Sequence, residues 1–483
     1  MLTLPCTRIA PRMRPARGPC GLISRSLSLE RSRMATSPIA SPATLSPQIR
    51  RWAGGLDPLR SAVSVRPALS FTSRLGGLPR CLSTATDATT AAPVAPTAAA
   101  VDPNSGTHGQ AEPTTRKVVG YWLLASAASV FGIVVWGGVT RLTESGLSIV
   151  EWNLIRGMKP PTSEAEWIEE FEKYKQFPEY KQLNQHMTLE EFKFIFFMEW
   201  GHRIWGRLIG LTFILPGAYF AYKGWMSPAI RKRVAIIAGL ICFQGVLGWY
   251  MVKSGLDQAL MEKPGAVPRV SQYRLAAHLG SAFLIYTGMV ATGLSVLRQN
   301  SLRAGRLASL APLLNSAQLN RLRGSTHGLA MLVFITAISG AFVAGLDAGL
   351  LYNTFPLMGG RLVPPTEELW DPHFASDPAT RSGMLKNVFE NPTTVQFNHR
   401  VLAVTTFTAI TAVYLASRRL SLPKSVRVTL HSLMGLAVVQ VSLGISTLIY
   451  LVPTELAAAH QAGSLSLLTA TLCLMNFLKR VPK

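Results

Sequence analysis

Eight stretches of roughly 20 mostly apolar residues, the length a bilayer demands of a spanning helix, punctuate this chain. They lie near 118–139, 194–216, 234–252, 274–296, 325–345, 396–416, 429–452 and 457–478. Hydrocarbon offers backbone N–H and C=O groups no partner, so segments of this kind cross as helices. The expected fold class is an all-α membrane protein with eight transmembrane helices. Composition agrees: 48% of the 483 residues are hydrophobic and 15% charged, too apolar for an ordinary soluble protein.

The net charge of +23 raises the question of nucleic acid, but no zinc-finger spacing, basic helix or RNA-binding signature accompanies it. The basic residues instead fall into two groups, one N-terminal and one in the loops. The first 86 residues hold thirteen Arg, no Lys and only Glu30 and Asp57 as acids. This Arg-rich, Ser-rich, acid-poor composition is that of a mitochondrial transit peptide. An Ala/Thr/Pro-rich linker follows, giving expected boundaries of 1–86 for the transit peptide and 87–116 for a disordered linker. In the loops, segments 223–233, 298–323 and 418–427, with the tail after Leu478, hold sixteen Lys/Arg and no Asp or Glu. The alternate loops, 142–193 and 346–393, are mixed or acidic. The positive-inside rule puts the basic loops and both termini in the matrix of a mitochondrial inner membrane.

The spans repeat in two sets of four. Gly137, Glu144 and Gly146 match Gly340, Asp347 and Gly349; Glu199-Trp-Gly-His202-Arg203 matches Gln396-Phe-Asn-His399-Arg400. Gln244 and Gly248 match Gln440 and Gly444, and Leu275-Ala-Ala-His278 resembles Leu456-Ala-Ala-Ala-His460. Four helices per unit is an even number, so the units run parallel, related by a pseudo-two-fold axis along the membrane normal. The expected organisation is a first four-helix repeat at 117–297, a basic matrix connector at 298–323 and a second repeat at 324–483.

Four of the nine histidines, His202, His278, His399 and His460, occupy repeat-equivalent places. Each is expected in the first turn or two of its helix, at the intermembrane-space side. Ionisable groups at membrane depth are costly and need partners. Two imidazoles from separate helices, without a local Cys, Asp or further His, suit the two axial positions of a heme iron. Structural zinc would want four ligands, and the Cys242 and Cys473 outside the presequence make no metal or redox motif. His108, His186, His327, His373 and His431 lack repeat counterparts and are read as ordinary polar residues. Arg203 and Arg400 each follow a histidine, where bidentate guanidinium can meet heme propionates or merely reach the membrane surface. Glu199 lies one helical turn before His202, while Gln396 holds that place before His399. A carboxylate can take a proton or stabilise positive charge and an amide cannot, so the first half reads as the reaction site and the second as an electron-holding site. A diheme b-type electron carrier and, more distantly, a transporter of parallel repeats are the rival readings.

From about Val118 onward the residues resemble the heme A synthase family in its mitochondrial form. The resemblance rests on GGVTRLTESGLSIVEWNLIRGMKPPTSEAEW, EFKFIFFMEWGHRIWGRLIGL, CFQGVLGWYMVKSGL and QFNHR. It implies oxidation of the C8 methyl of heme O to a formyl group, giving heme A for cytochrome c oxidase. It further implies substrate heme at His202 and His278, heme b at His399 and His460, and Glu199 as the functional glutamate. A ferredoxin-type electron donor is implied, with heme O synthase, oxidase assembly factors and a second copy of the chain as further partners. Cysteine pairs that several bacterial members carry in the outer loops are missing from 142–193 and 346–393.

Overall fold

The computed structural model describes residues 114–153, 159–258, 267–375 and 379–482. The transit-peptide expectation and nearly all of the linker expectation lie outside these residues. The described residues form an all-helical structure whose long helices are α1 (Lys117–Leu142), α4 (Leu189–Tyr222), α5 (Pro228–Lys253), α6 (Gln272–Arg303), α7 (Leu319–Gly345), α8 (Pro392–Ser417), α9 (Lys424–Ile449) and α10 (Thr454–Phe477). Two short helices, α2 (Glu164–Lys175) and α3 (Pro178–Leu183), lie between α1 and α4.

Seven of the long helices, α1 and α4 to α9, are long and apolar enough to cross a membrane. The eighth expected span, α10, has the length but not the composition, because His460, Gln461, Ser464 and Ser466 dilute it. Its position accounts for this: α10 packs on α1, α6, α7 and α9, so protein rather than lipid surrounds its polar groups. The opposite case holds at the periphery. Leu215, Val246, Val404 and Val439 stand exposed on α4, α5, α8 and α9, an apolar surface that water would not tolerate at this extent.

The helices close into two rings of four. In the first, α1 packs on α4 and α6, and α5 packs on the same two; in the second, α7 packs on α8 and α10, and α9 does likewise. The rings meet where α6 touches α7 and α10, and α10 touches α1. Between helices in lipid there is little hydrophobic driving force, so close packing and interhelical hydrogen bonds hold them. Glycines provide the first: a Cβ on Gly293 of α6 would stand 3.1 Å from the Gly120 carbonyl oxygen of α1 and 2.9 Å from Leu124. Side chains provide the second. The Tyr286 and Thr469 hydroxyls join α6 to α10 at 2.6 Å, and the Gln461 amide of α10 donates to the Val134 carbonyl of α1 at 3.1 Å.

The two ends of the bundle differ. At one end Arg298 donates to the Lys479 carbonyl and Arg323 to the Leu478 carbonyl, tying the basic segments together. At the other, α4 extends beyond the rest; its 34 residues span about 50 Å against a hydrocarbon core of about 30 Å. Helix α4 therefore begins at Leu189 rather than near 194, started by a capping box between Thr188 and Glu191. Its early residues Phe192, Ile195 and Phe196 pack against Trp167, Phe171 and Tyr174 of α2 as a small separate core, which is why the helix is apolar there.

Replacing Gly293 by Val should force α1 and α6 apart and lower the melting temperature in detergent. Gly239 of α5, where a Cβ meets nothing within 4 Å, is the control: Gly239→Ala should be neutral or stabilising by up to about 1 kcal/mol.

Candidate functional site

Each ring carries its two histidines on facing helices, α4 and α6 in the first and α8 and α10 in the second. His278, His399 and His460 are the seventh, eighth and seventh residues of their helices, about two turns in, as expected. His202 is not in the first turns of its helix, because α4 starts early and runs thirteen residues before reaching it. His202 is an electrostatic neighbour of His278, and His460 of His399.

The other two helices of each ring clear space for these side chains. A Cβ on Gly137 of α1 would lie 2.7 Å from the His202 ring, and one on Gly248 of α5 3.2 Å from the His278 ring. In the second ring, a Cβ on Gly340 of α7 would lie 3.2 Å from His399 and one on Gly444 of α9 2.7 Å from His460. One arrangement, an imidazole opposite a missing side chain, thus occurs four times. The Gln244 amide donates to the His278 carbonyl and the Gln440 amide to the His460 carbonyl, both at 2.9 Å. Gly137, Gly340, Gly248, Gly444 and the two glutamines stand in matching places in the sequence, but the spacing alone does not say what they touch.

The residues around His202 and His399 also correspond. The Glu199 carboxylate accepts from the Ser148 hydroxyl at 2.7 Å, the Ile149 amide at 2.8 Å and the Arg203 guanidinium at 2.7 Å. It is buried, at 3% exposure against 10% for Arg203. Arg203 reaches further, donating to the carbonyls of Ile149 and Glu151 and lying over the Trp152 ring. In the second ring, Gln396 and Arg400 both donate to the Tyr352 carbonyl, at 3.1 and 2.7 Å, and Arg400 also donates to Thr354. Both arginines therefore fasten the outer loop of their own ring, a use that sequence reasoning does not foresee. Glu199 likewise points into the loop anchor and is held there by three donors.

The turns leading into those loops match as well. Glu144 and Asp347 follow α1 and α7 with positive φ of 53° and 51°, a left-handed conformation that Asp tolerates better than most and that is uncommon for Glu. Asp347 accepts from Arg141 at 3.0 Å and Arg269 at 3.1 Å, joining the rings at their outer end. Beside the first ring's loop anchor lies another buried acid, Glu179 of α3, at 4% exposure. It accepts from the Tyr174 hydroxyl at 3.0 Å, and Asn184 donates to the same hydroxyl at 2.8 Å. Burial pushes the Glu179 carboxyl up to about 8, with Glu144 and Glu199 adding to the rise while the Tyr174 bond and Arg141 oppose it. Nothing in its spacing singles out Glu179; only its burial does.

The remaining histidines are accounted for locally. His327 bonds the Arg323 carbonyl one turn away and His431 the Tyr414 hydroxyl; His186 is exposed and His373 packs on Phe374. His108 lies outside the described residues. Among the described residues no three His, Cys, Asp or Glu gather as a metal-ligand set.

These features define a class: a multi-pass, all-α membrane protein with paired histidines facing across rings of helices. Residues 120–472 match the model of a family described as cytochrome oxidase assembly protein, and the chain belongs to that family. Among its relatives, heme A synthase COX15 of Bos taurus is 54% identical over 80% of this chain and 87% of its own length. The Saccharomyces cerevisiae COX15 is 48% identical over 76% of each chain. A heme A synthase–mitochondrial ferredoxin fusion protein of Schizosaccharomyces pombe is 47% identical over 76% of this chain and 60% of its own.

Glu179 makes the outer segment pH-sensitive. Between the unfolded carboxyl value of 4.5 and about 8, the folded protein keeps a proton that the unfolded chain releases. Its contribution to stability is complete below that window and falls as pH rises through it. Limited proteolysis of 159–193 should accelerate from pH 5 to pH 8, and Glu179→Gln should flatten that dependence. Equal slopes in the two proteins would rule out Glu179 as the cause.

Proposed function

We propose that this chain is a heme A synthase in which the first ring holds heme O as substrate, between His202 and His278, and the second holds a resident heme b, between His399 and His460. The observation that carries this reading is the fourfold recurrence of an imidazole facing a glycine clearing, paired on opposite helices of each ring. Two nitrogen ligands from opposite sides match the axial demand of heme iron. The residues also fit an anionic guest edge, since Arg400 Nε is a buried donor without a hydrogen-bond partner among the described residues.

On this reading α10 is the eighth span, and the rings are parallel repeats about an axis along the membrane normal. The paired positive φ at Glu144 and Asp347 and the paired loop anchors on Ile149 and Tyr352 support it. The basic ends face the mitochondrial matrix, the histidine pairs face the intermembrane space, and residues 1–86 serve as a targeting sequence. The fused relative's name favours a ferredoxin-type electron donor.

Heme held by these histidines would supply the redox chemistry for converting the C8 methyl of heme O to a formyl group. The chain's own residues orient and bias that chemistry. Ser148, the Ile149 amide and Arg203 hold the Glu199 carboxylate one turn from His202, and fixed charge in a water-poor interior acts strongly on charge developing nearby. Gln396 places no charge in the corresponding spot, so the second ring lacks that bias. The unpartnered Arg400 Nε is the donor left for a heme propionate.

Heme extracted from the purified protein should comprise heme b with heme O or heme A; heme b alone would make the chain a diheme electron carrier. Glu199→Gln installs the residue the second ring already uses, so both hemes should stay bound while heme A formation falls by roughly 10²-fold or more. Normal heme A yield from that variant would remove Glu199 from the reaction.

A further inference from the structure

The two rings differ in how they hold their imidazoles. In the second, His399 Nδ1 lies 2.7 Å from the Ser339 hydroxyl oxygen. The Thr336 carbonyl, which can only accept, lies 2.7 Å from the same hydroxyl; with the hydroxyl's single hydrogen given there, the oxygen accepts and His399 Nδ1 donates. His460 Nδ1 lies 3.2 Å from the Gln440 carbonyl, which can only accept. Both rings of this pair are therefore fixed in the tautomer that leaves Nε2 free to bind a metal. In the first ring, His202 Nδ1 and His278 Nδ1 are buried without a hydrogen-bond partner among the described residues. The residue preceding the clearing glycine accounts for the difference at one of them. Ser339 precedes Gly340, whereas Trp136 precedes Gly137 and spends its indole N–H on the Met198 carbonyl at 3.0 Å.

We propose that Ser339 and the Gln440 carbonyl are positioning groups that make the second ring a retaining heme site, and that Trp136, by withholding such a partner from His202, leaves the first ring an exchanging one. The inference rests on the reading that both histidine pairs hold heme, and it adds a physical cause for the division between resident and transient heme. A fixed acceptor on the distal nitrogen orients the imidazole and raises its basicity, and losing one typically costs 10- to 100-fold in metal affinity. A protein that must retain one heme and release another of nearly equal size needs such a difference, because the porphyrin cores themselves offer little to distinguish.

The test uses full-length protein in detergent and excess apomyoglobin as heme acceptor. His399→Ala protein should retain only first-ring heme, and His202→Ala protein only second-ring heme. Pigment should leave the former at least about 10-fold faster than the latter. Adding Ser339→Ala to the His202→Ala protein should close most of that gap and raise the midpoint potential of the remaining heme, since a less basic ligand stabilises the ferric state less. Ser339→Thr, which keeps the hydroxyl, should restore both. As a check independent of the His202 change, Ser339→Ala alone should alter one of two low-spin ferric signals by electron paramagnetic resonance. Unchanged release, potential and resonance in the Ser339→Ala proteins, with heme still bound, would overturn the proposal. Full pigment after loss of His399 and His202 together would instead overturn the heme assignment beneath it.

Discussion

An imidazole in the middle of a helix bundle needs room that ordinary helix packing does not leave. Interaxial distances of 8–10 Å are filled by side chains from both sides, and here four glycines remove the side chain opposite each histidine. Much of the design follows from that exchange of volume. Helices bearing histidines must alternate with helices bearing glycines, which requires rings of four. The glycine helices must also approach closely, and small residues let them do so.

Charge placement follows a similar economy. Glu199, Arg203 and Arg400 lie next to the histidines, yet their hydrogen bonds run to the backbone of the loop that covers the ring. A carboxylate buried with three donors is well compensated, while one stripped of its guanidinium partner would be costly. The anchor thus holds the Glu199 carboxylate beside the ring without leaving it unpaired, and ties the loop to the same helix that presents His202.

Much of this is legible in the sequence. The all-α class and the places of the long helices follow from composition, and the matched positions of the four histidines follow from register, which survives folding. Helix α10, expected as a span at 457–478, falls short of one in composition because it carries His460, Gln461, Ser464 and Ser466, groups that sit among α1, α6, α7 and α9. Hydropathy starts α4 late because its first turn and the next carry Glu190, Glu191 and Lys193, while the capping box that begins the helix at Leu189 and the packing of Phe192, Ile195 and Phe196 on α2 leave no hydropathy signal. Arg203 and Arg400 read toward a ligand in the sequence because their partners are backbone carbonyls, which carry no sequence signature. Ser339 and Glu179 are invisible there for a related reason: their importance comes from what folding brings beside them.

Asp347 takes guanidinium groups from Arg141 at the end of α1 and from Arg269 ahead of α6, although it belongs to the other ring. One carboxylate therefore acts as a rivet across the seam, and neither half can slide at that rim without abandoning two positive charges. Redox groups seated in the two rings would keep a constant separation while the protein works. Electron tunnelling decays exponentially with distance, so a contact that holds the two halves together at this rim would narrow the spread of transfer rates between them.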